Sequence, residues 1–226
     1  DVSNSPIFIR LGNRARGPEG TPVATVRRIT ISNINASDVD PRYACLISGL
    51  PGHPVEDVNL SNIRILYKGG LNMDQVVKQP PELANSFFQG GRGGGPNGTP
   101  ALPPTGGAAA AAPAPAAGAV RDAFAVPERA DGYPEPSMFG LLPASALYAR
   151  HVSRLTVRDV TVDYTAPDER PIVVLDDVAG STFENVRAPR GSAQAFFVLR
   201  DVKDFETHRT PGVPDTHLDT AAESSL

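Results

Sequence analysis

Two adjacent carboxylates, Asp176 and Asp177, are the first residues of this chain whose types suggest acid–base chemistry, since glycosidic hydrolysis uses two acids flanking the scissile bond. Their setting points elsewhere. They close the apolar run 172–175 and precede Val178, which puts them at a corner between strands, where Asp side chains bond to backbone amides. A basic cluster has the better claim to a ligand. In residues 6–11 (PIFIRL), Ile7, Ile9 and Leu11 share one face and Phe8 and Arg10 the other. With Arg14 and Arg16, Arg10 makes a group suited to a carboxylate ligand, because guanidinium grips carboxylate through two parallel hydrogen bonds. The same arginines would also serve as a solvated edge that blocks end-to-end aggregation.

Three further residues stand out. His53 and His151 each sit where a strand-like segment begins, a position in which histidine serves as a hydrogen-bonding group unless a neighbour activates it. Glu135 is held between Pro134 and Pro136, where it can line a rim or cap a turn. Arg10, Arg14, His53 and Glu135 are therefore the substrate-binding candidates, with no catalytic residue assigned. The histidines His53, His151, His208 and His217 lie far apart with no helical or knuckle spacing, and Cys45 is the sole cysteine, set in an apolar run. The sequence thus predicts neither a metal centre nor a cofactor, and no disulfide within the chain.

The elements that must position these residues follow from a repeat. The pattern apolar-x-x-apolar-x-apolar-x-(Asn or Asp)-apolar occurs at 26–34, 55–63 and 152–160, with weaker copies from Val178 and Val202. Within each copy the apolar residues alternate at strand period, then change parity at Asn33, Asn62, Asp159 or Asn185. A strand that keeps its apolar side inward across a parity change must turn a corner. Asn and Asp best tolerate the left-handed backbone such a corner needs. Starts at Val26 and Val55 are 29 residues apart, those at Val152 and Val178 are 26 apart, and those at Val178 and Val202 are 24 apart. This is the signature of an all-β parallel β-helix. A β-sandwich also gives short strands and frequent turns, but no reason for one corner motif to recur in phase.

Residues 1–67 and 135–207 read as coils of this stack. Residues 68–134 form an insertion whose core, about 89–119, is a Gly/Pro/Ala-rich tract with no periodicity, expected to be disordered. Residues 208–226 are polar, carry prolines and are expected to be a disordered tail. The net charge of −4 with dispersed Lys and Arg argues against a nucleic-acid surface, and no stretch is long and apolar enough for a helical membrane span. Trp is absent, and a monomer is expected. Because Asp1 leads directly into a strand with no polar cap before it, the chain reads as a piece of a longer protein.

The segments 6–14 (PIFIRLGNR), 48–58 (SGLPGHPVEDV) with 60–63 (LSNI), 133–144 (YPEPSMFGLLPA), 149–152 (ARHV) and 170–178 (RPIVVLDDV) resemble glycoside hydrolase family 28. The nearest resemblance is to its bacterial polygalacturonase-like and rhamnogalacturonase-like members, and it covers roughly residues 1–190 outside the low-complexity tract, in the C-terminal half of the family's domain. It implies a right-handed, pectin-lyase-like β-helix that hydrolyses galacturonic-acid-containing polysaccharide with inversion and without metal. It also implies a pectin partner and a secreted or periplasmic location. The family's catalytic acids would lie in coils before Asp1, and Asp176 and Asp177 fall well beyond their place. The chain by itself is then expected to lack hydrolase activity. The alternative, from another class, is a non-catalytic β-helix that binds polysaccharide or acts as a surface adhesin.

Overall fold

The computed structural model describes residues 2–14, 17–83, 121–191 and 194–226, so Arg16 and the low-complexity tract lie outside the described residues. The chain is all-β in character. Strands are β1 (Phe8–Arg10), β2 (Arg27–Val39), β3 (Cys45–Ser48), β4 (Val55–Gly69), β5 (Leu147–Ala166), β6 (Val173–Arg187), β7 (Phe197–His208) and β8 (Thr216–Ser225). A short helix, α1 (Met73–Lys78), and 3-10 turns at Pro81–Leu83 and Pro136–Phe139 complete the regular elements among the described residues. The strands join edge to edge in the order β1-β3-β5-β6-β7-β8, with β4 also on β5 and β2 on β4. Every pairing is parallel except β7 with β8.

The register follows the repeat. Ile29 pairs with Val58, Val58 with Leu155, Leu155 with Ser181 and Ser181 with Phe205. Val152, Val178 and Val202 form another aligned row. Like positions of successive repeats therefore stack, which lets each apolar side chain rest on its counterpart. Val55, Val58, Leu60, Ile63 and Ile65 of β4 are each at most 3 % exposed. At one end, Phe183, Phe196, Phe197 and Phe205 fill the core, with Phe183 and Phe197 edge to face at 5.0 Å.

All four expected corners, Asn33, Asn62, Asp159 and Asn185, have φ between 51° and 60°. Two further columns of left-handed residues accompany them. One runs through Arg28, Asp57, Arg154, Gly180 and Asp204, the other through His151, Asp177 and Asp201. In the last three repeats the corners thus recur at the same offsets: 151, 154 and 159; 177, 180 and 185; 201, 204 and 209. Side chains bond along these columns. Asn62 Nδ2 donates to Asn33 Oδ1 at 2.7 Å, Asn185 Nδ2 to Asp159 Oδ1 at 2.6 Å, and Arg154 Nη2 to Asp57 Oδ2 at 3.1 Å. Axial bonds of this kind offset part of the cost of a non-glycine residue in the left-handed region.

The expected disordered tail is corrected by β8. Leu218 and Ala221 turn inward over Phe205 and Val202, to which they are paired, while His217 and Asp219 turn out. The main chain closes on the core: Phe196 N–H donates to Leu226 O at 2.6 Å and Leu226 N–H to Phe197 O at 3.0 Å. An antiparallel strand thereby covers what would be an open parallel edge. Polar composition hid this strand because only one of its faces meets apolar side chains.

The long connection leaves after β4 and returns at β5, and these two strands pair directly. Its first turn, α1, is held by a capping box between Asn72 and Gln75 and buries Val76 against Leu71 and Leu141. A buried ion pair pins neighbouring loops. Arg170, fully buried, donates through Nε and Nη2 to Asp168 at 2.9 Å each, through Nη1 to Leu142 O at 3.2 Å and through Nη2 to Pro41 O at 2.8 Å.

Asp168→Asn, which leaves the Arg170 charge uncompensated, is expected to destabilise the chain by about 3–5 kcal/mol in denaturant titration. Ser181 is buried with no hydrogen-bond partner for its hydroxyl, so Ser181→Ala should raise stability by about 1 kcal/mol. Phe183→Ala, at the centre of the aromatic cluster, should lower it by about 3–5 kcal/mol in the same assay.

Candidate functional site

The outer face of the sheet carries two aligned rows. Phe8, Leu46, Tyr148, Val174 and Val198 form one, and Arg10, Ser48, Arg150, Asp176 and Arg200 the other. Parallel register is what brings these residues, up to 190 positions apart, into line. The apolar row is covered by Val126, Met138, Phe139 and Leu142 of the returning connection, giving a second core on this side. The polar row clamps the same connection by its carbonyls. Arg150, 3 % exposed, donates through Nη1 to Val126 O at 2.6 Å and through Nη2 to Pro127 O at 3.2 Å. Arg10 donates through Nη1 to Gly132 O at 3.0 Å and through Nη2 to Arg129 O, and Arg200 lies 5.3 Å from the Phe124 ring.

Burial on this face shifts several groups. Desolvation lowers the Arg10 pKa, opposed by Asp131 and reinforced by Arg14 and Arg150. Asp176 is pushed above the usual carboxylate range by burial, against the pull of Arg200, Arg150 and a 3.3 Å hydrogen bond from the Tyr148 hydroxyl. Asp176 and Asp177 therefore part company. Asp177 takes the corner, with φ 54°, and Asp176 faces outward into the row. His151 bridges Asp177 and the connection: Nδ1 lies 2.6 Å from Asp177 Oδ2 and Nε2 3.0 Å from Glu128 Oε1. Burial opposes its protonation, but the two carboxylates outweigh that and its pKa is raised.

The sequence-derived candidates separate accordingly. Arg10 and Arg14 line one open cleft of about 490 Å³ together with Asn13, Glu19, Thr21 and Pro134. Arg14 lies over the ring of Tyr133 at 5.0 Å, and Tyr133 is 57 % exposed. Glu135 follows Pro134 but turns away. Its carboxylate caps the Pro136–Phe139 turn, accepting from Ser137 N–H at 3.0 Å and from the Ser137 hydroxyl. Of the two roles open to Glu135 in the sequence, capping is the one its carboxylate performs. His53 is exposed in the turn after β3, whose backbone closes between Leu50 and His53, and it does not line the cleft. The turn depends on Gly49: a Cβ there would sit 2.3 Å from the His151 carbonyl. Cys45 is a buried core residue, its thiol pushed up to about 11 by desolvation and 3.7 Å from the Tyr67 hydroxyl.

Sequence reasoning missed Arg150, Arg200 and Tyr148 as outward residues that pack against the returning connection. The available signal was parity: each shares the outward phase of Arg10 in its own repeat. Among the described residues, no helix is long and apolar enough to cross a membrane. No protein-family model matches the chain, and neither a curated protein nor a solved structure matches it.

A raised His151 pKa gives a definite pH dependence. Its folded-state value lies above the unfolded value of about 6.5, so its stabilisation is full below about pH 6.5 and is lost as pH rises through the folded value. The melting-temperature gap between wild type and His151→Asn, a substitution that keeps a left-handed-tolerant residue, should be largest near pH 6 and shrink with increasing pH. Proteolytic cleavage within 121–135 should increase over the same range in the wild type.

Proposed function

We propose that the parallel stack is a segment of a right-handed β-helix of the pectin-lyase type, and that the cleft beside Arg10 and Arg14 binds an acidic, galacturonate-containing polysaccharide as in glycoside hydrolase family 28. Support for the fold comes from in-phase corners and parallel register with offsets of 29, 26 and 24 residues. The motif resemblance at 6–14, 48–63, 133–144 and 170–178 supports the family. Half-buried Ile29, Ile31 and Ile34 on β2, which pairs with β4 alone among the named strands, suit the stacking of another parallel coil.

One observation carries the ligand: Arg14, which lines an open cleft together with Arg10, also lies over the exposed ring of Tyr133, the neighbour of cleft-lining Pro134. An exposed aromatic face offers apolar area to the flat face of a sugar ring, and a guanidinium beside it supplies charge-assisted hydrogen bonds to a uronate carboxylate. The role is binding rather than cutting. Inverting hydrolysis needs an acid and a base on opposite faces of the sugar, about 6.5–9.5 Å apart. Asp177 and Glu128 are engaged with His151, Glu135 with Ser137, and Asp176 with Tyr148. The family resemblance assigns the hydrolytic acids to other coils of the parent protein, which would be secreted or periplasmic.

Calorimetric titration of the chain with oligogalacturonides should show binding that weakens with salt, and neutral galactose oligomers of equal length should bind at least tenfold more weakly. Arg14→Ala should cost about 1.5–3 kcal/mol, ten- to a hundredfold in Kd. Equal affinity for charged and neutral oligomers would refute the assignment. Release of reducing sugar from polygalacturonate by this chain alone would refute the separation of binding from hydrolysis. A non-catalytic adhesin would share the cleft but predicts no turnover by the parent protein.

A further inference from the structure

The β7–β8 pair, remote in sequence from the cleft residues, presents a second group of polar side chains. Strand period places Glu206 and His208 on the outer face of β7 and His217 and Asp219 on the outer face of β8, while Asp204 is exposed at the left-handed corner just before Phe205. The ladder sets Glu206 directly opposite His217. One ligand atom from each of Asp204, Glu206 and His217 lies within 4.8 Å of the others. His217 Nδ1 is 3.2 Å from Glu206 Oε1, and His217 Nε2 is 3.0 Å from Asp219 Oδ1. On the far side of Glu206, His208 Nε2 lies 3.5 Å from Oε2, and His208 Nδ1 lies 3.9 Å from Asp215 Oδ2.

We propose that Asp204, Glu206 and His217 bind a divalent first-row transition ion of the zinc class, with Asp219 orienting His217 and the fourth position open to water or an anion. The geometry is close to that required. Metal–ligand bonds of about 2.0–2.2 Å in a tetrahedron put ligand atoms about 3.3–3.6 Å apart. The His217–Glu206 separation of 3.2 Å is close to this, and exposed Asp204, with a ligand atom within 4.8 Å of both, would turn its carboxylate inward to complete the set. The Asp219 contact supplies the outer carboxylate that ligating histidines characteristically hold through their second nitrogen. It leaves Nδ1 facing Glu206. An imidazole with two carboxylates suits zinc-class ions, whereas calcium takes six to eight oxygens. The ladder pairing fixes two of the three ligands on a rigid platform, where loops would hold them loosely. The D-x-E-x-H and H-x-D spacings at 204–208 and 217–219 carry the pattern at strand period, which a search for helical or knuckle spacing passes over.

The test is titration of the metal-stripped 226-residue chain with ZnCl2, CoCl2 and CaCl2 by calorimetry, with Co2+ visible absorption as a geometric readout. One Zn2+ per chain is expected, with Ca2+ at least tenfold weaker and a Co2+ spectrum of tetrahedral intensity. His217→Ala and Glu206→Gln should each weaken Zn2+ binding at least tenfold. Asp219→Asn should weaken it about ten- to a hundredfold, and His53→Ala should leave it unchanged. Should a β8 variant fail to fold, imidazole 15N shifts of His217 in the wild type decide the matter, a Zn2+-induced change supporting the site and none refuting it. Lack of saturable 1:1 binding would overturn the proposal, as would loss on His208→Ala with retention in His217→Ala.

Discussion

Parallel, in-register stacking of successive repeats is the constraint from which the rest of this structure follows. Because Val152 lies under Val178 and Val178 under Val202, the corners of each repeat must also lie over one another. A corner that turns in one residue needs left-handed backbone, and the columns at 151, 154 and 159 and their counterparts supply it. Residues such as Arg154 and His151 are poor intrinsic choices for that backbone. They are tolerated because their side chains bond across the step between repeats, Arg154 to Asp57 and Glu56 and His151 to Asp177. The corner columns are thus both the source of strain and the axial zipper that relieves it.

The same register builds the polar surfaces. A row of outward positions becomes a line of functional groups without any local motif, as Arg10, Arg150, Asp176 and Arg200 illustrate. Much of that row serves the fold, since its guanidiniums hold carbonyls of the returning connection. What remains accessible is its margin, where Arg14 borders an open cleft and lies over the exposed ring of Tyr133.

The antiparallel closure at β8 changes the chemistry at one end. Along the parallel stack, equivalent positions of successive repeats lie over one another, and opposite charges meet there, as Asp57 and Arg154 do. Reversal of direction in β8 brings Glu206 against His217, with Asp219 beside it, and gathers nitrogen and oxygen donors on one exposed face. Composition concealed this. The segment from His208 onward is polar and carries two prolines, and among its described residues Val213, Leu218, Ala221 and Leu226 are the apolar ones that meet the core.

Strand content, the repeat phase and the corners at Asn33, Asn62, Asp159 and Asn185 were legible in the sequence, because apolar alternation and its parity slips are local properties of a chain with one buried face. Arg10 as an outward residue was legible for the same reason. Which outward residues meet was not. The pairing of Arg150 with Val126 O, the capture of His151 between Glu128 and Asp177, the capping duty of Glu135 and the Glu206–His217 pair join residues across loops or strands. Their partners are fixed only when the stack closes in one register and β8 runs antiparallel to it. Alternation decides which way a side chain points, and tertiary register decides what it points at.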